Sequence, residues 1–221
     1  METLAEQARA SIEHMIIFGK LDSNRLYSEN VLASMLNIGR TPVREALQRL
    51  EHDKMLVIHP RRGVQVPEIT AEEQLKLLEV RRCIEPNCLR VCAIRASAED
   101  RKQLLDMADI MIACSAAEDD IGVLEALRGI HDLIAKATGN EYFEQVMGTV
   151  QGMSRRYWFA NKSRGEGTKG GDLHKEIAKA VAYGDSDMAE KCSKDLLNYL
   201  TEFTFRTMKQ EAPALTTAIG D

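Results

Sequence analysis

Arginines gather where a helix begins. The run Asn37–Leu50, NIGRTPVREALQRL, places Arg40, Thr41 and Arg44 around a helix start, and Arg61, Arg62 and Gly63 follow in a second basic turn. The unpaired N–H groups of a helix start carry partial positive charge, so cations there are unfavourable unless an anion joins them. Arginine has a planar fork that engages two acceptors at once, on a phosphate or on O6 and N7 of guanine. The chemistry on offer is recognition of a polyanion with readable base edges.

The elements that must hold these residues follow from periodicity and punctuation. Leu4, Ala8, Ile12, Met15 and Ile16 form one helical stripe that ends at Gly19. Ser28 caps a second helix, Glu29–Leu36. Asn37-Ile38-Gly39 is a tight turn. A third helix is expected from Pro42 to about Glu51, with Thr41 as its cap and Val43, Ala46, Leu47 and Leu50 inward. The period then changes to two in Met55–His59 and Gly63–Val66, joined by Pro60-Arg61-Arg62. Three helices and a basic-tipped hairpin make a winged helix-turn-helix.

Beyond Pro67-Glu68-Ile69 there is no strand signal. Six helices are expected near 71–95, 98–115, 119–137, 141–161, 171–183 and 186–210, with Ser163–Gly171 as a glycine-rich mobile loop. The fold class is mainly α: residues 1–67 form the winged domain, residues 68–211 an all-α bundle of six to seven helices, and residues 212–221 a frayed tail.

Composition agrees. Of 221 residues 44% are hydrophobic and only 5% aromatic, and net charge is −5. The first 66 residues carry +1 and the remainder −6, and Arg40–Arg62 holds six basic against three acidic residues. A local basic patch on an acidic chain suits specific, salt-sensitive DNA binding and argues against indiscriminate affinity. The five cysteines form no C-x-x-C pair, as expected of reduced thiols in a cytoplasmic protein. No apolar run is long enough to span a bilayer, so no membrane partner is expected.

At this point the chain resembles a known family. R-T-P-V-R-E-A-L at Arg40–Leu47 and Arg62-Gly63-Val64-x-Val66 are similar to GntR-family regulators. E-V-R-R-x-I-E at Glu79–Glu85, H-D-L-I-A-K-A-T-G-N at His131–Asn140 and H-K-E-I-A-K-A-V-A-Y-G-D at His174–Asp185 resemble the helical FCD domain of the FadR-type branch. The resemblance implies a homodimeric regulator, commonly a repressor, that binds a palindromic double-stranded DNA operator and answers to a small-molecule effector. Carried over by position, it assigns DNA contact to Ser28, Asn30, Arg40, Thr41, Arg44, Arg49, Arg61, Arg62 and Gly63. Relatives have Ser-Glu-Arg where this chain has Ser28-Glu29-Asn30, which implies one fewer phosphate ion pair per subunit.

The same resemblance places an effector among Arg81, Glu85, His131, His174, Tyr157 and Asn161. Arg81 is the anchor for a carboxylate, with an internal ion pair to Glu85 as the competing reading. Many such domains also hold a divalent metal through an Asp, a His four residues later and two further His. Here His131 and His174 match two of those positions, while Leu127 and Leu196 occupy the other two. Two imidazoles are too few for zinc or nickel, so a metal is not favoured and a metal-free pocket is expected. Two rival readings remain open: a constitutive DNA-binding dimer with a degenerate pocket, and a metal-dependent helical enzyme using the two histidines.

Overall fold

The computed structural model describes residues 3–23, 25–163 and 166–211. The tail expected at 212–221 lies outside the described residues. The chain divides into two compact units. One comprises Met1–Thr70 together with Gly152–Ala160; the other comprises Ala71–Gln151 and the residues from Asn161 on.

In the first unit, α1 (Leu4–Ile17) opens with a capping box: Thr3 Oγ accepts from the Glu6 backbone N–H, and the Glu6 carboxylate accepts from the Thr3 N–H at 2.8 Å. Ala8, Ile12, Met15 and Ile16 are buried as their spacing predicts, but Leu4 is 57% exposed. It lies in the first turn, too near the helix end to reach the stripe's partners. Next come β1 (Leu26–Tyr27), α2 (Glu29–Leu36), α3 (Arg40–His52), β2 (Val57–His59) and β3 (Gly63–Gln65). Ser28 Oγ accepts from Val31 N–H at 3.2 Å, and α2 ends on Asn37 in the left-handed region.

Two expectations change here. Helix α3 starts at Arg40 on a Gly39 cap that makes no side-chain bond, so Thr41 is inside the helix and does not cap it. Pro42 is tolerated at the third helical position because the first N–H groups of a helix have no partner in any case. The hairpin also gains a third strand. The order is β1-β3-β2, antiparallel throughout, with Tyr27 opposite Val64 and Ile58 opposite Val64. Leu32, Val43, Leu47, Leu50, Met55, Leu56, Val64 and Val66 form the core of this unit.

The second unit holds α4 (Ala71–Arg95), α5 (Ala98–Ala116), α6 (Asp120–Ala137), most of α7 (Glu141–Asn161), α8 (Glu166–Ala182) and α9 (Ser186–Glu211). Ser97 and Asp100 form a capping box at the start of α5. The α8 helix begins at Glu166, so most of the glycine-rich stretch expected as a loop is helical; the neighbouring Arg164 and Gly165 lie outside the described residues. Arg101 ties helix ends together by donating to the carbonyls of Ala93 at 2.7 Å and Ala182 at 3.2 Å. It thereby satisfies C-terminal carbonyls that lack intrahelical partners. Leu78, Leu89, Leu104, Met111, Ile130, Val181, Leu197 and Phe203 form the bundle core. No helix of the described residues is long and apolar enough to cross a membrane.

Candidate nucleic-acid interface and bundle cavity

Arg40, Thr41 and Arg44 project from the start of α3, and all three are exposed. Leu47 and Leu50 anchor the opposite face of the same helix in the core, so the arginine face is held outward. Arg44 is not loose. Its Nε donates to both Glu29 carboxylate oxygens, at 3.1 and 3.0 Å, and its Nη2 donates to Oε2 at 2.7 Å. This pair joins the first residue of α2 to α3 across the tight turn. The hydrogen bonds from Arg44 hold the Glu29 carboxyl below its ordinary range, with the guanidinium charge acting in the same direction.

At the wing tip Arg61 and Arg62 are exposed, and Arg61 adopts a positive φ of 63°. Gly63 has φ 112°, and a Cβ there would stand 2.5 Å from the Tyr27 carbonyl oxygen. The close β1–β3 approach therefore requires glycine at this position. Ser28 and Asn30 are exposed at the start of α2. Arg49 is separated from this group. It lies five residues from Arg44, about 140° around the helix, in an open groove with Arg9, His52 and Asp53.

A second concentration of polar groups lies inside the bundle. His131 on α6 and His174 on α8 are buried, and their Nε2 atoms are 3.2 Å apart. His174 Nδ1 is 2.8 Å from the Gly170 carbonyl oxygen, which can only accept. With both rings neutral, His174 Nδ1–H donates to Gly170, His174 Nε2 accepts, and His131 Nε2–H is the donor between the rings. The cavity they border has about 10 Å³ of free volume, room for about one water. Glu85, Cys88, Met147, Gln151 and Leu196 also line it. Behind Glu85 lies Arg81, whose Nε donates to Oε2 at 2.7 Å and Nη2 to Oε1 at 3.2 Å; both side chains are 3% exposed. Burial pushes the Cys88 thiol up to about 12, so it is not a thiolate near neutrality.

Residues 4–66 match the model of the bacterial regulatory proteins of the gntR family, and residues 76–199 match the FCD domain. The chain belongs to the gntR family of bacterial regulatory proteins. Its C-terminal part is an FCD domain. The gluconate operon transcriptional repressor of Bacillus subtilis (strain 168) is 26% identical over 139 residues, which are 62% of this chain and 56% of that protein. The Nta operon transcriptional regulator of Aminobacter aminovorans is 27% identical over 60% of this chain and 61% of its own length. The matched stretches thus span under two thirds of these relatives. Among solved structures, E. coli McbR/YncC superposes with a TM-score of 0.75 at 18% identity, covering 94% of this chain and all of its own. A putative GntR regulator from Rhodococcus sp. RHA1 gives 0.66 at 25% identity over 93% of this chain and 97% of its own.

Within this GntR-family chain the structure sorts the expected effector residues. Glu85, His131 and His174 share one cavity, and Arg81 stands behind it, bound to Glu85. Tyr157 and Asn161 are not among the lining residues. Met147 and Gln151, one helical turn apart, present the cavity-facing side of α7, whereas Tyr157 lies in the segment that belongs to the other unit. An i, i+4 pair on a helix beside two histidines was the signal available for Met147 and Gln151. The donor set does not fit the metal that the family resemblance implies. Among the described residues no three His, Cys, Asp or Glu side chains converge on a possible ion position, and Leu196 lines the cavity with Ile134 and Ile177.

Proposed function

We propose that this protein is a transcriptional regulator, not an enzyme, that binds a palindromic operator as a homodimer through its winged unit. The observation that carries this reading is the pairing of an exposed α3 start, bearing Arg40, Thr41 and Arg44, with an exposed arginine wing tip in the same compact unit. The α3 N-terminus is assigned to the major groove and Arg61 and Arg62 to the adjoining backbone and minor groove, with Ser28 and Asn30 on phosphates. Repression is the assigned mode, since the similar proteins include the gluconate operon transcriptional repressor of Bacillus subtilis and the transcriptional repressor GlaR of Escherichia coli. Nuclease protection on the DNA upstream of its own gene tests the proposal. Protection in two symmetric blocks, lost with Arg40→Ala, supports it. Equal binding of wild type and Arg40→Ala removes the groove assignment.

The effector is assigned to the bundle cavity, with Glu85, His131 and His174 as its polar contacts. A small carboxylate suits the site because its oxygens can accept from the His131 Nε2–H and lie near the buried Arg81 guanidinium. A cavity of about 10 Å³ is smaller than any such ligand, so binding requires the lining to open, and the flexible Met147 is the side chain best able to yield. The same small volume favours a second reading, a constitutive regulator with a closed pocket. A melting screen against small carboxylates separates the two, because a ligand at 100 times its Kd adds about 2.7 kcal/mol. Absence of any stabiliser supports the constitutive reading.

A further inference from the structure

The Glu29–Arg44 pair carries an inference that rests on the assignment of Arg44 to DNA and goes beyond it. Arg44 meets Glu29 with one side of its fork only, through Nε and Nη2. A guanidinium carries five N–H donors. The side-on contact uses the single Nε hydrogen and one hydrogen of Nη2. One hydrogen of Nη1 and the second of Nη2 form the end-on edge, and these are the two parallel donors that match O6 and N7 of guanine. The ion pair therefore leaves base reading possible.

Glu29 is itself fixed. It is the first residue of α2, directly after the Ser28 cap, where the helix dipole favours a carboxylate. Its side chain is 32% exposed, whereas that of Arg44 is 63% exposed. A free arginine so exposed samples many rotamers, and ordering it at a base edge opposes binding. Tethering one side of the guanidinium to a helix start removes that freedom before DNA arrives.

We infer that Glu29 is a positioning residue that presents the end-on edge of Arg44 to one guanine in each half-site. Glu29 is also a negative charge on a surface that meets phosphates. Its removal should relax base choice while leaving general affinity for DNA equal or greater. A loss of folding moves both in the same direction, so the two effects are separable.

The test uses the full chain as wild type, Glu29→Ala, Glu29→Gln and Arg44→Ala, each selecting from a randomised duplex library whose bound fraction is sequenced. Wild type is expected to require guanine at one position per half-site, a requirement that Arg44→Ala abolishes. One bidentate arginine–guanine pair corresponds to a preference of roughly 5- to 150-fold. In Glu29→Ala the preference at that position falls to within about threefold, other positions are unchanged, and random duplex binds at least as tightly. Glu29→Gln keeps an amide oxygen that accepts from Arg44 and retains part of the preference. The inference is overturned if Glu29→Ala keeps the full preference, including the case in which it binds the selected site more tightly, because Glu29 would then merely compete with DNA. Loss of preference at every position together with a lower Tm also overturns it, since Glu29 would then only hold α2 to α3. If wild type selects no sequence, or Arg44→Ala changes no position, it is the DNA assignment that fails.

Discussion

Arg155 and Glu13 form a buried ion pair within the first unit: Arg155 Nη2 donates to Glu13 Oε1 at 3.0 Å, and the two side chains are 6% and 5% exposed. Around it, Phe159 packs edge-on against Phe18 at 5.4 Å, and Arg156 donates to the Pro67 carbonyl. Thus the last turns of α7 form part of the winged unit's interior, while Met147 and Gln151 of the same helix line the bundle cavity.

Arg155→Ala should therefore destabilise the winged unit although it lies far along the chain from it. Removing one partner of a buried ion pair typically costs about 3–5 kcal/mol. Urea denaturation followed by the circular dichroism of the full chain checks this. A loss under 1 kcal/mol would show that water or another group replaces the guanidinium. Glu13→Ala should give a loss of similar size, and the double variant should lose less than the two single losses added together.

Gly63→Ala should weaken the wing. The new Cβ would meet the Tyr27 carbonyl oxygen at 2.5 Å, a backbone atom that cannot swing away, and φ of 112° is strained for alanine. Strain of this kind costs about 1–3 kcal/mol. The expected readout is a lower Tm with separation of β1 from β3, seen as faster amide exchange at Tyr27. A variant as stable as wild type would show that the strands re-pair in another register.

What was legible in the sequence divides along one line: local signals were readable and distant partners were not. The helix limits of α4, α5, α6 and α7 followed from apolar period and capping residues to within a residue or so. Thr41 was misread as a cap because Thr-Pro is a strong local signal, yet Gly39 in extended conformation starts the helix two residues earlier. The two-residue β1 exists only by pairing with β3, nearly 40 residues on, and no periodicity marks it. Glu29 was visible only as the first residue of the second helix, because its partner Arg44 lies 15 residues away across a turn. In the bundle, the motifs pointed to Glu85, His131 and His174. Tyr157 and Asn161 do not line that cavity: a helix rotates about 100° per residue, and Tyr157 falls in the stretch Gly152–Ala160 that belongs to the first unit.

Asp100 gives the second unit a defined acid sensitivity. Hydrogen bonds from the Ser97 hydroxyl and backbone N–H, at 2.7 and 2.9 Å, hold its carboxyl below the ordinary value. A carboxyl depressed by folding contributes stability in full above its unfolded value, near 4, and loses it as pH falls through the lowered folded value. Asp100→Asn should thus be less stable than wild type at pH 7, by about 0.3–1 kcal/mol, and the difference should shrink below about pH 4. Chemical denaturation at a series of pH values checks this. A difference that stays constant down to pH 3 would assign the loss to packing rather than charge.

The thiols should react in an order set by burial. Cys83 is exposed, whereas Cys88 and Cys92 are fully buried and raised by desolvation to about 12. At pH 8 a disulfide reagent should label Cys83 first, and Cys88 and Cys92 should react only on unfolding, because the thiolate is the nucleophile. Mass spectrometry of the labelled peptides reports the order. Rapid native labelling of Cys88 would show instead that the bundle cavity opens readily, as effector entry requires.

The cavity makes a final prediction about metal. The His131 and His174 Nε2 atoms, 3.2 Å apart, have the separation of two ligands on one tetrahedral ion: bonds of about 2.0–2.1 Å at the tetrahedral angle set nitrogens roughly 3.3 Å apart. What is missing is the remainder of the donor set, because Leu196 and the buried Leu127 stand where the family resemblance implies an imidazole and a carboxylate. The substitutions Leu127→Asp and Leu196→His together should create a site with four protein ligands. The double variant should bind about one zinc per chain after dialysis and gain thermal stability with zinc, while wild type retains far less than one. Near-stoichiometric zinc in wild type would overturn the reading that the two imidazoles are too few to hold a metal.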